Sequence, residues 1–108
     1  MKISNTMQTP WGKAESVKKF GEGIWTVVTP GHGGFLLSDE RLRAMPKELR
    51  YLNKFGKGNW FEEDCEWALV CAAFPEEFLH NTREAAKRML LTVYGIEWDD
   101  VCPEAYKD

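Results

Sequence analysis

Eight of the nine glycines fall between Gly12 and Gly58, and only Gly95 follows them. Glycine has no Cβ, so it suits turns and weakens a helix or strand interior by roughly 0.5–1 kcal/mol relative to alanine. The first half of the chain therefore reads as turns and short strands, and the glycine-free stretch 59–94 as helix. The expectation is an α+β fold, with a small antiparallel three-stranded meander in the N-terminal half packed on a C-terminal pair of helices. At 108 residues the chain suits one domain, 1–108, with one core. Within it, 1–12 is expected as an extended arm, 13–58 as strands and loops, 59–94 as helical and 95–108 as a partly docked tail.

Local signals set the elements. Ile24 to Thr29 is β-branched or aromatic throughout and is the best strand. Ala14 to Phe20 reads as a weaker strand before it, and Phe35 to Leu37 as a short one after it. Thr9-Pro10-Trp11-Gly12 is a turn, since proline fixes φ and glycine permits φ > 0. Ser38 suits the N-cap of a short helix from Asp39. Pro46 disfavours helical geometry at Met45 and ends that helix, and a further turn runs Pro46 to Leu52. From Trp60 to Phe74, two apolar stripes at helical spacing predict a central helix buried nearly all round. Glu62, Glu63, Asp64 and Glu66 would lie in its first turns, where the dipole favours anions. A last helix is expected from Asn81, with Glu84 completing a capping box, Ala85, Ala86, Met89, Leu90 and Val93 on its apolar face, and Gly95 as its C-cap.

Composition excludes several classes. The formal charge of −3 argues against a dedicated nucleic-acid binder, which would be basic overall. The opening MKISNTMQTPWG lacks an apolar stretch, so no signal peptide is expected. No run approaches the ~18 apolar residues of a membrane span. The three cysteines are odd in number and form no CxxC pair, which predicts reduced thiols and a cytoplasmic setting.

Three strings carry a resemblance: Thr9-Pro10-Trp11-Gly12, Thr29-Pro30-Gly31-His32-Gly33-Gly34-Phe35, and Trp60-Phe61-Glu62-Glu63-Asp64-Cys65-Glu66-Trp67-Ala68. Over roughly Thr9 to Phe78 the chain resembles an uncharacterised family of small domains encoded by phages, plasmids and other mobile elements. The resemblance implies a mobile-element setting in a bacterial host and a compact α+β domain. It supplies no reaction, ligand or catalytic residue. Short proteins of such elements often inhibit host defences such as CRISPR–Cas or restriction, an analogy of setting alone.

Four features can carry chemistry. In Gly31-His32-Gly33-Gly34, glycines can expose N–H groups to an anion and the imidazole can titrate near neutrality. There is no GxxxxGK[ST], and a plain tight turn explains the loop as well. Cys65 near a helix start could be a nucleophile, with His32 as base and Asp64 or Glu63 orienting it, in a thiol-dependent hydrolase or transferase. Four neighbouring carboxylates oppose a thiolate, and the apolar stripe makes Cys65, like Cys71, a core thiol. His32, His80 and the cysteines have no metal-ligand spacing, so neither metal nor cofactor is expected. The cluster Glu62 to Glu66 reads as dipole compensation or a cation-binding patch, with Asp64 half-buried. Arg41, Arg43, Lys47, Arg50, Lys54 and Lys57, with Tyr51 and Phe55 between them, form the best candidate binding surface.

The combined reading is a non-enzymatic protein-binding module of a mobile element, whose partner is a host protein such as a defence nuclease or nucleoprotein complex. The thiol enzyme using Cys65 and His32, and a nucleic-acid binder using the Arg41–Lys57 face, are the alternatives.

Overall fold

Two threonine–proline turns shape the N-terminal half in the computed structural model, which describes residues 2–108. The Thr9 hydroxyl donates to the Gly12 carbonyl (2.7 Å) and accepts from the Trp11 N–H (3.0 Å). That turn joins β1 (Gln8–Thr9) to β2 (Gly12–Lys13) in a small antiparallel hairpin. The expected arm is thus partly folded, and its first residue, Met1, lies outside the described residues.

The main sheet contains β3 (Ser16–Gly21), β4 (Ile24–Val28), β5 (Gly33–Leu37) and β6 (Trp60–Glu62), in that order and antiparallel throughout. The meander was expected with three strands; the sheet has four. The fourth comes from the segment expected to open the central helix. Phe35 pairs with Phe61 and Leu36 with Trp60, so the aromatic pair continues the alternation of β5.

Among the described residues the α-helices are α1 (Asp39–Ala44) and α2 (Lys47–Arg50), between β5 and β6, and α3 (Trp67–Ala73), α4 (His80–Tyr94) and α5 (Trp98–Val101), after β6. Ser38 caps α1 by accepting from the Arg41 N–H at 3.1 Å. The central helix is only seven residues long, but Ala68 to Ala73 are all buried. α4 starts at His80 without a side-chain cap, and Glu84 pairs instead with Lys87 at 2.6 Å. Val93, expected on the apolar face, is 48% exposed. In the tail, Trp98, Val101 and Cys102 are buried, and Trp98 Nε1 donates to the Tyr106 carbonyl.

Strand periodicity gives the sheet two faces, and both are covered. On one, Ile24, Leu37 and Phe61 pack with Leu69, Leu90 and Trp98 from the helices. On the other, Ala14, Val27 and Leu36 pack with Ile3, Met7 and Trp60. The result is a compact α+β fold with a Cα radius of gyration of 13.2 Å.

Candidate functional site

The segment that leaves the helical pattern does so around two buried carboxylates. Glu62 accepts the N–H groups of Asp64 (2.7 Å), Cys65 (2.6 Å) and Glu66 (3.0 Å). Glu66, 1% exposed, accepts those of Phe55 (2.8 Å), Gly56 (2.9 Å) and Glu62 (3.0 Å). A buried carboxylate is stable only when its oxygens are satisfied in this way. Their role is therefore to tie backbone segments together, and dipole compensation on a solvated first turn is corrected to that extent. Sequence reading missed it because two of the six donors, the Phe55 and Gly56 amides, lie outside any local helical pattern.

Glu66 fixes the loop between α2 and β6. The buried Asn53 side chain donates to the carbonyls of Gly58 (2.9 Å) and Trp60 (2.7 Å), and the Asn53 backbone carbonyl accepts from the Lys57 N–H (2.7 Å). A Cβ on Gly56 would collide with the Trp60 carbonyl. Lys57 has φ 69°, left-handed backbone that side chains rarely adopt, and such strain persists only where the surroundings enforce it. At this anchored loop and the end of α2, Phe55 is 75% exposed and Tyr51 74% exposed.

The predicted basic surface divides. Arg41 pairs with Glu77 (2.9 Å), donates to the Glu22 carbonyl and stacks 4.6 Å from the Phe74 ring centre, so it serves the fold. Arg50 donates to the carbonyls of Arg43 and Met45 and does the same. Arg43, Lys47, Lys54 and Lys57 are exposed, and none forms an ion pair among the described residues. Tyr51, Lys54 and Lys57 share the rim of a depression of about 350 Å³, whereas Arg43 and Lys47 lie outside it.

A separate cavity of about 420 Å³ gathers the three strings singled out in the sequence. Its walls are Trp11, His32, Phe55, Glu62, Asp64 and Cys65. Gly34 allows this convergence, since a Cβ there would meet the Trp11 ring at 2.7 Å and the Phe61 carbonyl. Trp11 packs edge-on against Trp60 at 5.8 Å, and its Nε1 is buried without an acceptor.

The glycine loop carrying His32 does not present a row of free amides. The His32 N–H donates to the Thr29 hydroxyl (3.1 Å), and Gly33 and Gly34 belong to β5, paired with Val28 and Val27. Neither they nor Gly31 have positive φ. Gly33 is needed for close packing, because a Cβ would meet the Val27 carbonyl and the Glu63 carboxylate.

Cys65, His32 and Asp64 do line the same cavity, so the thiol alternative has its residues within one site. Its electrostatics oppose it. Burial raises the Cys65 pKa above the ordinary 9.0, and the carboxylates of Glu62, Asp64 and Glu66 raise it further. The thiol is accordingly protonated at neutral pH, whereas a nucleophilic cysteine needs a depressed pKa. Asp64 is exposed, not half-buried, and Cys65 sits in a turn rather than within a helix. Cys71 lies in the core, where burial pushes its thiol up to about 12. Among the described residues, no three His, Cys, Asp or Glu side chains are placed to hold a metal ion.

A family model described as a domain of unknown function (DUF7007) matches residues 4–108, and the chain belongs to that family. No curated protein and no solved structure matches it. Among the described residues, no helix is long and apolar enough to cross a membrane.

Proposed function

We propose that this chain is a non-enzymatic protein-binding module, with a contact surface centred on Phe55 and Tyr51 and flanked by Lys54 and Lys57. The observation behind it is Glu66: a buried carboxylate anchors the backbone amides of Phe55 and Gly56, and that loop displays an exposed ring. An aromatic side chain on a fixed loop loses little entropy on binding, which is what an interface anchor requires. The unpaired lysines favour a partner with an acidic surface, through steering and salt-sensitive association. The protonated Cys65 thiol weighs against the enzyme reading. That the partner is a host protein, such as a component of a CRISPR–Cas or restriction system, rests on the mobile-element resemblance, as does action in the bacterial cytoplasm.

The test compares proteins captured from bacterial lysate by the wild type, Phe55→Ala and a Lys54→Glu/Lys57→Glu double variant. All three substitutions are at exposed positions, so the variants should fold. One partner should be enriched by the wild type and lost with both variants. A partner held equally by all three would place the contact elsewhere. A gel shift with DNA or RNA that disappears in the double variant would favour the nucleic-acid alternative.

A further inference from the structure

The cavity lined by Phe55 has a chemical character distinct from the depression bordered by Lys54 and Lys57. Two aromatic rings, Trp11 and Phe55, and two carboxylates, Glu62 and Asp64, form its walls, with no lysine or arginine among its lining residues. Lys54 and Lys57 border the other depression. Burial is the main cause of the upward shift of the Cys65 thiol, and Glu62, Asp64 and Glu66 add to it by disfavouring negative charge in that space. The Glu62 oxygens already accept three backbone N–H groups, so Glu62 contributes a fixed charge, and exposed Asp64 is the carboxylate free to make contact.

An aromatic ring presents a negative face that attracts cations, and the attraction strengthens when neighbouring carboxylates and partial burial assist it. About 420 Å³ is within the ordinary range for small-ligand pockets and accommodates a cationic head group on a short alkyl stem. Anions are disfavoured by the same walls. A bound metal is disfavoured because the carboxylates, His32 and Cys65 do not converge.

We propose that this cavity binds an organic cation, an ammonium or guanidinium head group on an alkyl stem, between Trp11 and Phe55 and against Asp64. Such a head group can come from a free quaternary ammonium compound or from a lysine or arginine side chain of a bound peptide. The site stands on its own walls and does not depend on the lysine-flanked surface being an interface.

The test is a titration of the whole chain at low salt, read from the Trp11 indole N–H resonance. Trp11 is one of the cavity walls, so its indole resonance responds to what enters the cavity. The probes are choline, N-acetyl-lysine methylamide and N-acetyl-arginine methylamide. Their neutral counterparts are 3,3-dimethylbutanol, N-acetyl-norleucine methylamide and N-acetyl-citrulline methylamide. At least one cation should shift the resonance saturably, while its neutral counterpart does not. Tighter binding of choline identifies a free quaternary cation, and tighter binding of an amino-acid amide identifies a side chain. Phe55→Ala and Asp64→Asn, both at exposed positions, should each weaken binding by about fivefold or more. Lys47→Ala should leave it unchanged, and the Lys54→Glu/Lys57→Glu pair, which abolishes the proposed protein contact, should not abolish it. Equal binding of a cation and its neutral counterpart would overturn the proposal, as would the absence of any saturable shift, or binding indifferent to both cavity variants.

Discussion

Glu62 and Glu66 are four residues apart, a spacing that suits one helix face as well as it suits their actual arrangement. The difference is made by the amides of Phe55 and Gly56, eleven and ten residues from Glu66. Such partners leave no local period in the sequence, which is why the two buried carboxylates were not legible. Ser38 and Gly95 were legible because their work is local. The Ser38 side chain bonds an amide three residues on, and Gly95 takes φ 66° as a helix C-cap should. Glu66→Gln keeps the shape but removes the charge that strengthens three hydrogen bonds, and should lower stability in urea melts by about 2–4 kcal/mol. Asp64→Asn, at an exposed position, should stay within about 0.5 kcal/mol. Alkylation by iodoacetamide checks the thiol: at pH 8 Cys65 should react far more slowly than free cysteine. Rapid reaction would restore the enzyme alternative.

At the scale of elements, the central helix shows where periodicity misleads. Trp60-Phe61-Glu62 satisfies both a helical stripe and a strand alternation, and short apolar runs are ambiguous in this way. Pairing with β5 decides for strand, and α3 is left with Trp67 to Ala73. The expectation that this helix is central still has a direct check, because Leu69 is fully buried among sheet and helix residues. Leu69→Ala should cost about 2–5 kcal/mol through lost burial and a cavity. Trp67, only partly buried beside the cleft it shares with Phe35 and Phe78, should cost less than a core tryptophan would. The glycine string makes a second contrast. Gly34→Ala should destabilise by about 1–3 kcal/mol, since its methyl group meets the Phe61 carbonyl and the Trp11 ring, whereas Gly31→Ala has open space.

For the molecule as a whole, the α+β class and the best strand were legible in the sequence, whereas the expected division into a strand half and a helical half is crossed by α1 and α2, which precede β6. The sequence did not disclose that the N-terminal arm folds back over the outer face of the sheet, because Ile3 and Met7 are isolated apolar residues without a period. Burial of ionisable groups in this two-sided core makes stability depend on alkaline pH. The Cys71 thiol is raised by burial from 9.0 to about 12, and Tyr94 is raised by burial and by nearby Glu66. Between pH 9 and 12 the unfolded chain loses the Cys71 proton while the folded chain keeps it. The unfolded state then binds fewer protons, so stability falls as pH rises. Urea midpoints should decline above about pH 9, and less steeply in Cys71→Ala.

Native-state hydrogen exchange tests most directly whether a buried carboxylate holds an exposed aromatic on a fixed loop. Amide protection at Phe55 and Gly56 would be compared with that of the core helix α3, in the wild type and in Glu66→Gln. Both loop amides should be protected in the wild type to a degree approaching the α3 amides, despite the exposure of Phe55, and should lose most of that protection in Glu66→Gln beyond the change in global stability. Exchange at the rate of an open loop in the wild type, or equal protection in the variant after allowing for its stability, would contradict the account.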